Sequence, residues 1–119
     1  MLSDIKTALE ELGLTVYYGA AGTLSGEDEW SYIVFYRTTL GPTGGKTGLA
    51  QVYEVAIVHE DYVPDELVLD TIDAMTALPG VRLADTGGTY QYTTKPNTEQ
   101  VIEILTIDFV RPMRRCANV

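Results

Sequence analysis

Residues 30–60 read WSYIVFYRTTLGPTGGKTGLAQVYEVAIVHE, two β-rich runs on either side of a glycine-rich centre. In the first run Tyr32, Val34 and Tyr36 alternate with Ile33, Phe35 and Arg37. Both faces are therefore partly apolar, as in a strand with neighbours on both sides. In the second, Tyr53, Val55 and Ile57 share one face and Val52, Ala56 and Val58 the other, with Glu54 interrupting. Strands over residues 30–39 and 52–60 joined by a turn-prone segment predict a long β-hairpin that forms the spine of a sheet.

The centre of the stretch contains Gly45-Lys46-Thr47, the ending of a phosphate-binding P-loop. That loop needs a glycine, four further residues and then Gly-Lys-Thr, so that its N–H groups surround a phosphate. Here the glycine position is Leu40. A P-loop also opens into a helix whose N-terminus faces the phosphate, whereas LAQVYEVAIVHE reads as another strand. The glycines are read as turn residues at a hairpin tip, and no cofactor is expected.

Outward from the hairpin, Ser3 is placed to cap a first helix, with Asp4 in its first turn and Leu2, Ile5, Leu9 and Leu12 on one side, and Gly13 stops it. LTVYY follows as a short strand, and GAAGTLSGEDE as a loop long enough to suggest function. After the hairpin, Pro64, Asp65 and Glu66 begin a second helix with Leu69, Ile72, Met75 and Leu78 on its stripe, ended by Pro79-Gly80. A strand over residues 81–85, a Thr-Gly-Gly turn and TYQYTT predict a second hairpin, and EQVIEILTIDFVR a last long strand. The expected fold is α+β: an antiparallel sheet with two helices packed on one face, in the order α-β-β-β-α-β-β-β.

With 119 residues and 45% hydrophobic content, the chain suits one domain, with residues 112–119 as a flexible tail. Neither a signal peptide nor a membrane span is read from it, so a soluble protein made in a cytoplasm is expected. A formal net charge of −9 opposes a surface that grips nucleic acid, yet lets DNA pass without sticking. Arg111, Arg114 and Arg115 cluster near the C-terminus, while Glu27, Asp28 and Glu29 concentrate acid in an earlier loop. Opposite charges on projecting segments suit contacts between subunits.

Motifs for catalysis are sparse. His59 is the single histidine, and its neighbour Glu60 would point to the opposite face of a strand, so the two do not make a metal pair. No GxSxG elbow is present, and the single cysteine, Cys116, excludes an internal disulfide and a cysteine zinc site. No catalytic, cofactor-binding or metal-ligating residue is assigned. The eight tyrosines, several on predicted strands, suit positions with one end buried and the other wet, as at subunit interfaces.

Across nearly the whole chain, the helix ending ELGLTVYYG, the loop, WSYIVFYRT, the glycine-rich hairpin, QVYEVAIVHED, the second helix and TYQYTT…EILTIDFV resemble the tail terminator, or tail-to-head joining, proteins of long-tailed bacteriophages. The resemblance implies a non-enzymatic virion protein of the neck region. Its subunits form a homo-hexameric ring that caps the tail tube, ends tail polymerisation and docks to the head connector. Its partners would be the major tail tube protein and a head-completion or stopper protein, with genome DNA passing unbound through the lumen. Contacts are expected from two loops and the arginines: Thr23, Glu27, Asp28 and Glu29; Leu40, Gly44, Gly45, Lys46 and Thr47; Arg111, Arg114 and Arg115. The alternatives are another neck protein, a small α+β enzyme or ligand-binding domain with converging carboxylates, or, from Gly45-Lys46-Thr47, a nucleotide-binding protein.

Overall fold

Apolar residues at helical spacing build the first element, α1 (Leu2–Glu10), which buries Ile5 and Leu9 completely. Leu2 and Leu12 pack against the same core. The helix begins one residue before Ser3, with Met1 as N-cap and no side-chain cap, so Ser3 lies inside the first turn and is not the cap. Asp4 instead faces the terminal amine at 3.6 Å. Gly13 leaves the helix at φ +91°, a conformation open to glycine.

A computed structural model describes residues 1–22, 24, 29–42 and 48–114, and for Arg114 the backbone alone. Its elements after α1 are β1 (Thr15–Tyr18), β2 (Tyr32–Pro42), β3 (Gly48–Glu60), α2 (Asp65–Thr76), β4 (Arg82–Thr94) and β5 (Val101–Arg114). The five strands form one sheet in the order β1-β2-β3-β5-β4. The α+β class holds, while the sheet departs from expectation in three ways.

First, the sheet is mixed: β1 runs parallel to β2, and the other pairings are antiparallel. A parallel neighbour requires the chain to travel back along the strand, which takes about a dozen residues or more. Residues 19–31 separate β1 from β2 in the sequence, a length that matches this requirement, so the size of the segment after β1 has a topological cause.

Second, residues 81–94 do not form a hairpin, and the order is α-β-β-β-α-β-β. Arg82 and Leu83 pair with Val110 and Phe109, and residues 88–94 continue along the same partner in the same direction. The intervening residues form an irregularity in a single strand. Gly87 does take a positive φ of 65°, as a turn glycine would, but the chain does not reverse. At Gly88 a Cβ would stand 3.2 Å from the Thr106 carbonyl oxygen and from Leu105 Cδ1. The glycines thus serve a bulge and a close strand approach.

Third, β5 runs to Arg114, beyond the expected strand end at Arg111. Its pairing with β4 stops at Val110, so Pro112 occupies an edge position, where a proline is tolerated.

The core follows from register. Ile33 and Phe35 of β2, Tyr53, Val55 and Ile57 of β3, and Leu105, Ile107 and Phe109 of β5 cluster with Ile5 and Leu9 of α1 and Met75 of α2. The two helices touch each other, α1 lies by β1 and α2 by β4. Val68, Ile72 and Leu78 of the second helical segment pack inward and Thr71 is fully buried, whereas Leu69, expected on the stripe, is 62% exposed. Leu69 falls one step off the face that Val68, Thr71, Ile72 and Met75 share. Thr71 is tolerated there because its hydroxyl donates to the Leu67 carbonyl at 2.7 Å. Among the described residues, no helix is long and apolar enough to cross a membrane.

Candidate functional site

Three surfaces stand out: an extension of the sheet, its face opposite the helices, and a charged cluster at the other end of β3.

The extension comprises the later part of β2, the start of β3 and the end of β5. Among the described residues β1 pairs with Tyr32–Phe35 of β2 alone, so beyond these β2 has a free edge. The molecule measures 56 × 26 × 23 Å, and the long strands lie behind this elongation. Register places Leu40 opposite Gln51 and Gln51 opposite Arg111; Pro42, Leu49 and Met113 line up in the same way further out. A bulge decides the side on which Leu40 stands. Strict alternation would put it on the face of Tyr36, but the shift between Arg37 and Thr39 turns it to the helix side, with Tyr53 and Gln51. The Gln51 amide stitches the distortion by donating to the carbonyls of Thr39 at 2.9 Å and Val52 at 3.1 Å. Leu40 is 56% exposed and Met113 37%, so apolar groups project from the outer ends of strands whose middles form the core.

The open face carries Tyr36, Glu54, Thr106 and Asp108. Tyr36 pairs with Glu54, and Glu54 with Asp108, along one row across three strands. Two carboxylates directly opposite repel each other. The Tyr36 hydroxyl donates to Glu54, and the Thr86 hydroxyl, from the irregular part of β4, donates to Asp108 at 2.9 Å. Burial, the hydrogen bond to Glu54 and the charges of Glu54 and Asp108 push the Tyr36 phenol up to about 12. The residues border a depression of about 400 Å³, and a second of about 490 Å³ shares Glu54 and Asp108 with it and adds Arg82. Glu54 was legible as an acid interrupting an apolar face; its pairing with Asp108 required the register.

At the other end of β3, Glu60 receives Lys95 Nζ at 2.5 Å and the Trp30 backbone N–H at 2.9 Å. These hydrogen bonds, Lys95 first, hold its carboxyl below the usual range. Stability from this pairing is present above the ordinary glutamate pKa and is lost as pH falls through the lowered one. Glu103 accepts the Val63 N–H at 2.8 Å, and Gln100 reaches Asp61 at 2.6 Å. The cluster ties the start of β2, the end of β3 and the β4–β5 turn together. Its cross-chain partners are not spaced regularly in sequence, so no motif announced it.

His59 Nδ1 donates to the Glu60 backbone carbonyl at 2.9 Å, while the Glu60 side chain turns to Lys95. Among the described residues no group of His, Cys, Asp and Glu is placed to hold a metal ion.

Of the expected contact residues, Thr23, Glu27, Asp28, Gly44, Gly45, Lys46, Thr47 and Arg115 lie outside the described residues. Leu40 and Arg111 come together on the extension, both aligned with Gln51, and Arg111 Cγ lies 3.7 Å from the position of a Cβ on Gly80. The Arg114 backbone pairs with Gly48. Glu29 is exposed and precedes β2, at the end opposite Leu40. A strand of this length spans roughly 30 Å or more, so Glu29 and Leu40 belong to two contact regions. No protein-family model matches the chain, and no curated protein matches it in sequence.

Proposed function

We infer that this protein is a structural subunit of a phage neck: a tail terminator that forms a hexameric ring, caps the tail tube, ends its polymerisation and joins tail to head. The observation that carries this reading is the sheet extension. Leu40 and Met113 expose apolar side chains on strands whose edges are free, a combination suited to being covered by another subunit. A ring of identical subunits needs two different complementary surfaces on each, and Glu29 and Leu40 mark two regions at opposite ends of β2. The open face adds an electrostatic feature, because Glu54 and Asp108 beside each other repel a phosphate backbone. Such a face suits a channel through which DNA slides. The partners under this reading are the tail tube protein on one side and a head-completion or stopper protein on the other.

Negative-stain electron microscopy of the concentrated protein tests the ring: closed sixfold rings with a central hole are expected. Deleting residues 44–47 should leave the fold intact and impair tail capping; a deletion variant that caps normally rejects the hairpin assignment. Stacking on a purified tail tube, rather than on a head connector, separates a terminator from another neck protein.

A ligand-binding role is the second reading, favoured by the depression around Tyr36, Glu54 and Asp108. A small molecule whose binding is lost in Tyr36→Phe, with rings absent, would support it over the first.

A further inference from the structure

Among the described residues, the outer edge of β4 is the longest free edge in the sheet, since β4 has β5 as its single neighbour there. Every residue from 88 to 94 is exposed. Proteins blunt such edges with charge, proline or bulges, because unpaired N–H and C=O groups invite another strand. Here the devices bracket the edge and leave its middle bare: the irregularity between Leu83 and Gly88 lies before it, and Pro96 follows it. Between Asp85 and Lys95 there is no charged residue.

The bare segment is also palindromic. Thr89-Tyr90-Gln91-Tyr92-Thr93 reads the same in both directions, and an antiparallel strand runs in the opposite direction to its partner. We propose that two copies of this chain pair antiparallel through their β4 edges about a two-fold axis at Gln91, forming one continuous sheet across both subunits. Gln91 then faces Gln91, each Tyr90 faces a Tyr92, and each Thr89 faces a Thr93. Aromatic and threonine cross-strand pairs are among the favourable ones, and no like charges meet.

Register within the subunit fixes the faces. Tyr90 and Tyr92 align with Leu105 and Glu103 on the helix side, whereas Thr89 and Gln91 align with Thr106 and Ile104 on the open face. A two-fold axis perpendicular to the sheet keeps these sides, so the four tyrosines form one cluster beside the helices. Tyr90 is 49% exposed and Tyr92 63% exposed in the single chain, and the pairing covers both. The contact is isologous and closes on itself, which removes the edge without building a fibre. A seven-residue edge falls at the small end of specific interfaces, so the pair should dissociate on dilution.

This pairing belongs to the free subunit and does not depend on the ring reading. In a Cys116→Ser background, Gln91→Cys places the new thiols opposite each other on the axis. Mild oxidation should give a disulfide-linked dimer as the main product, well above that from Leu69→Cys on exposed α2. Thr89→Cys and Thr93→Cys should cross-link when mixed and not when each is alone. Sedimentation of the unmodified protein below the concentration at which rings form should give a mass of two chains, and the double variant Tyr90→Lys with Tyr92→Lys should weaken this pairing at least tenfold by setting lysines opposite each other. A concentrated protein that remains monomeric, or cross-linking at Gln91→Cys no greater than at Leu69→Cys, overturns the proposal. Rings that form while Gln91→Cys fails to cross-link overturn it and leave the terminator reading standing; cross-linked dimers without rings do the reverse.

Discussion

The two faces of β3 carry opposite solutions to the same backbone. On the helix side Tyr53, Val55 and Ile57 are buried against Leu105, Ile107 and Phe109. On the other side, Glu54 and Ala56 stand beside Asp108 and Thr106, and the row is held by hydroxyl-to-carboxylate hydrogen bonds. The first face is specified by volume and dryness, the second, around Glu54 and Asp108, by matching donors to charges, although Val58 of the same face is buried. Stability should therefore reside in one face, and recognition has room to reside in the other.

The largest effect is expected in the core. Phe109 is fully buried, so Phe109→Ala should cost about 3–5 kcal/mol in urea unfolding, while Thr106→Ala on the opposite face should remain within about 0.5 kcal/mol. Equal losses would break the contrast. Next is Gly88, whose missing side chain faces Leu105 and Ile107 as well as the Thr106 carbonyl. Gly88→Ala overpacks this approach and should cost roughly 1–3 kcal/mol; a neutral result would mean that β4 yields easily.

On the open face the sign reverses. Glu54→Gln removes one of two facing charges and keeps an acceptor for the Tyr36 hydroxyl, so stability at neutral pH should rise by about 0.2–1 kcal/mol. The gain should shrink at high salt, where the repulsion is already screened. A loss would show that the charge-assisted hydrogen bond outweighs the repulsion. The smallest effect is spectroscopic. With its phenol pushed up to about 12, Tyr36 should ionise last in an ultraviolet titration, and Tyr36→Phe should remove that late component. Because a raised phenol pKa favours the neutral form, its stabilising contribution is complete below the ordinary tyrosine value and is lost as pH rises through the shifted one.

Where a single periodicity governs, the sequence is legible: the Ile5 and Leu9 stripe and the β2–β3 hairpin need no tertiary knowledge. The parallel direction of β1 is not, because strand direction is not written in a four-residue run; its signature is the length of the segment that follows. Residues 81–94 mislead for a different reason. A Thr-Gly-Gly sequence between two β-rich runs signals positive φ, which a bulge and a turn both require, and the partner strand decides between them. Leu40 is exposed, as its place near the hairpin tip suggests, yet its face depends on one extra residue at the bulge. Glu54 with Asp108, and Glu60 with Lys95, are contacts between distant segments that no local pattern encodes.

The seam between β3 and β5 joins segments far apart in the chain, whereas β2–β3 and β4–β5 are each local hairpins. Closing the chain between β3 and β5 costs entropy before the seam returns any contact energy, and pairings of this kind slow folding. The two hairpins are thus expected to form early and to wait for each other. In that interval β5 lacks its central partner, and the hydrophobic face of each hairpin lies open to water. The order in which this protein becomes safe from misassembly is set at the middle of its sheet, so substitutions such as Val55→Ala or Ile107→Val at the seam should slow refolding more than equally buried changes in α1.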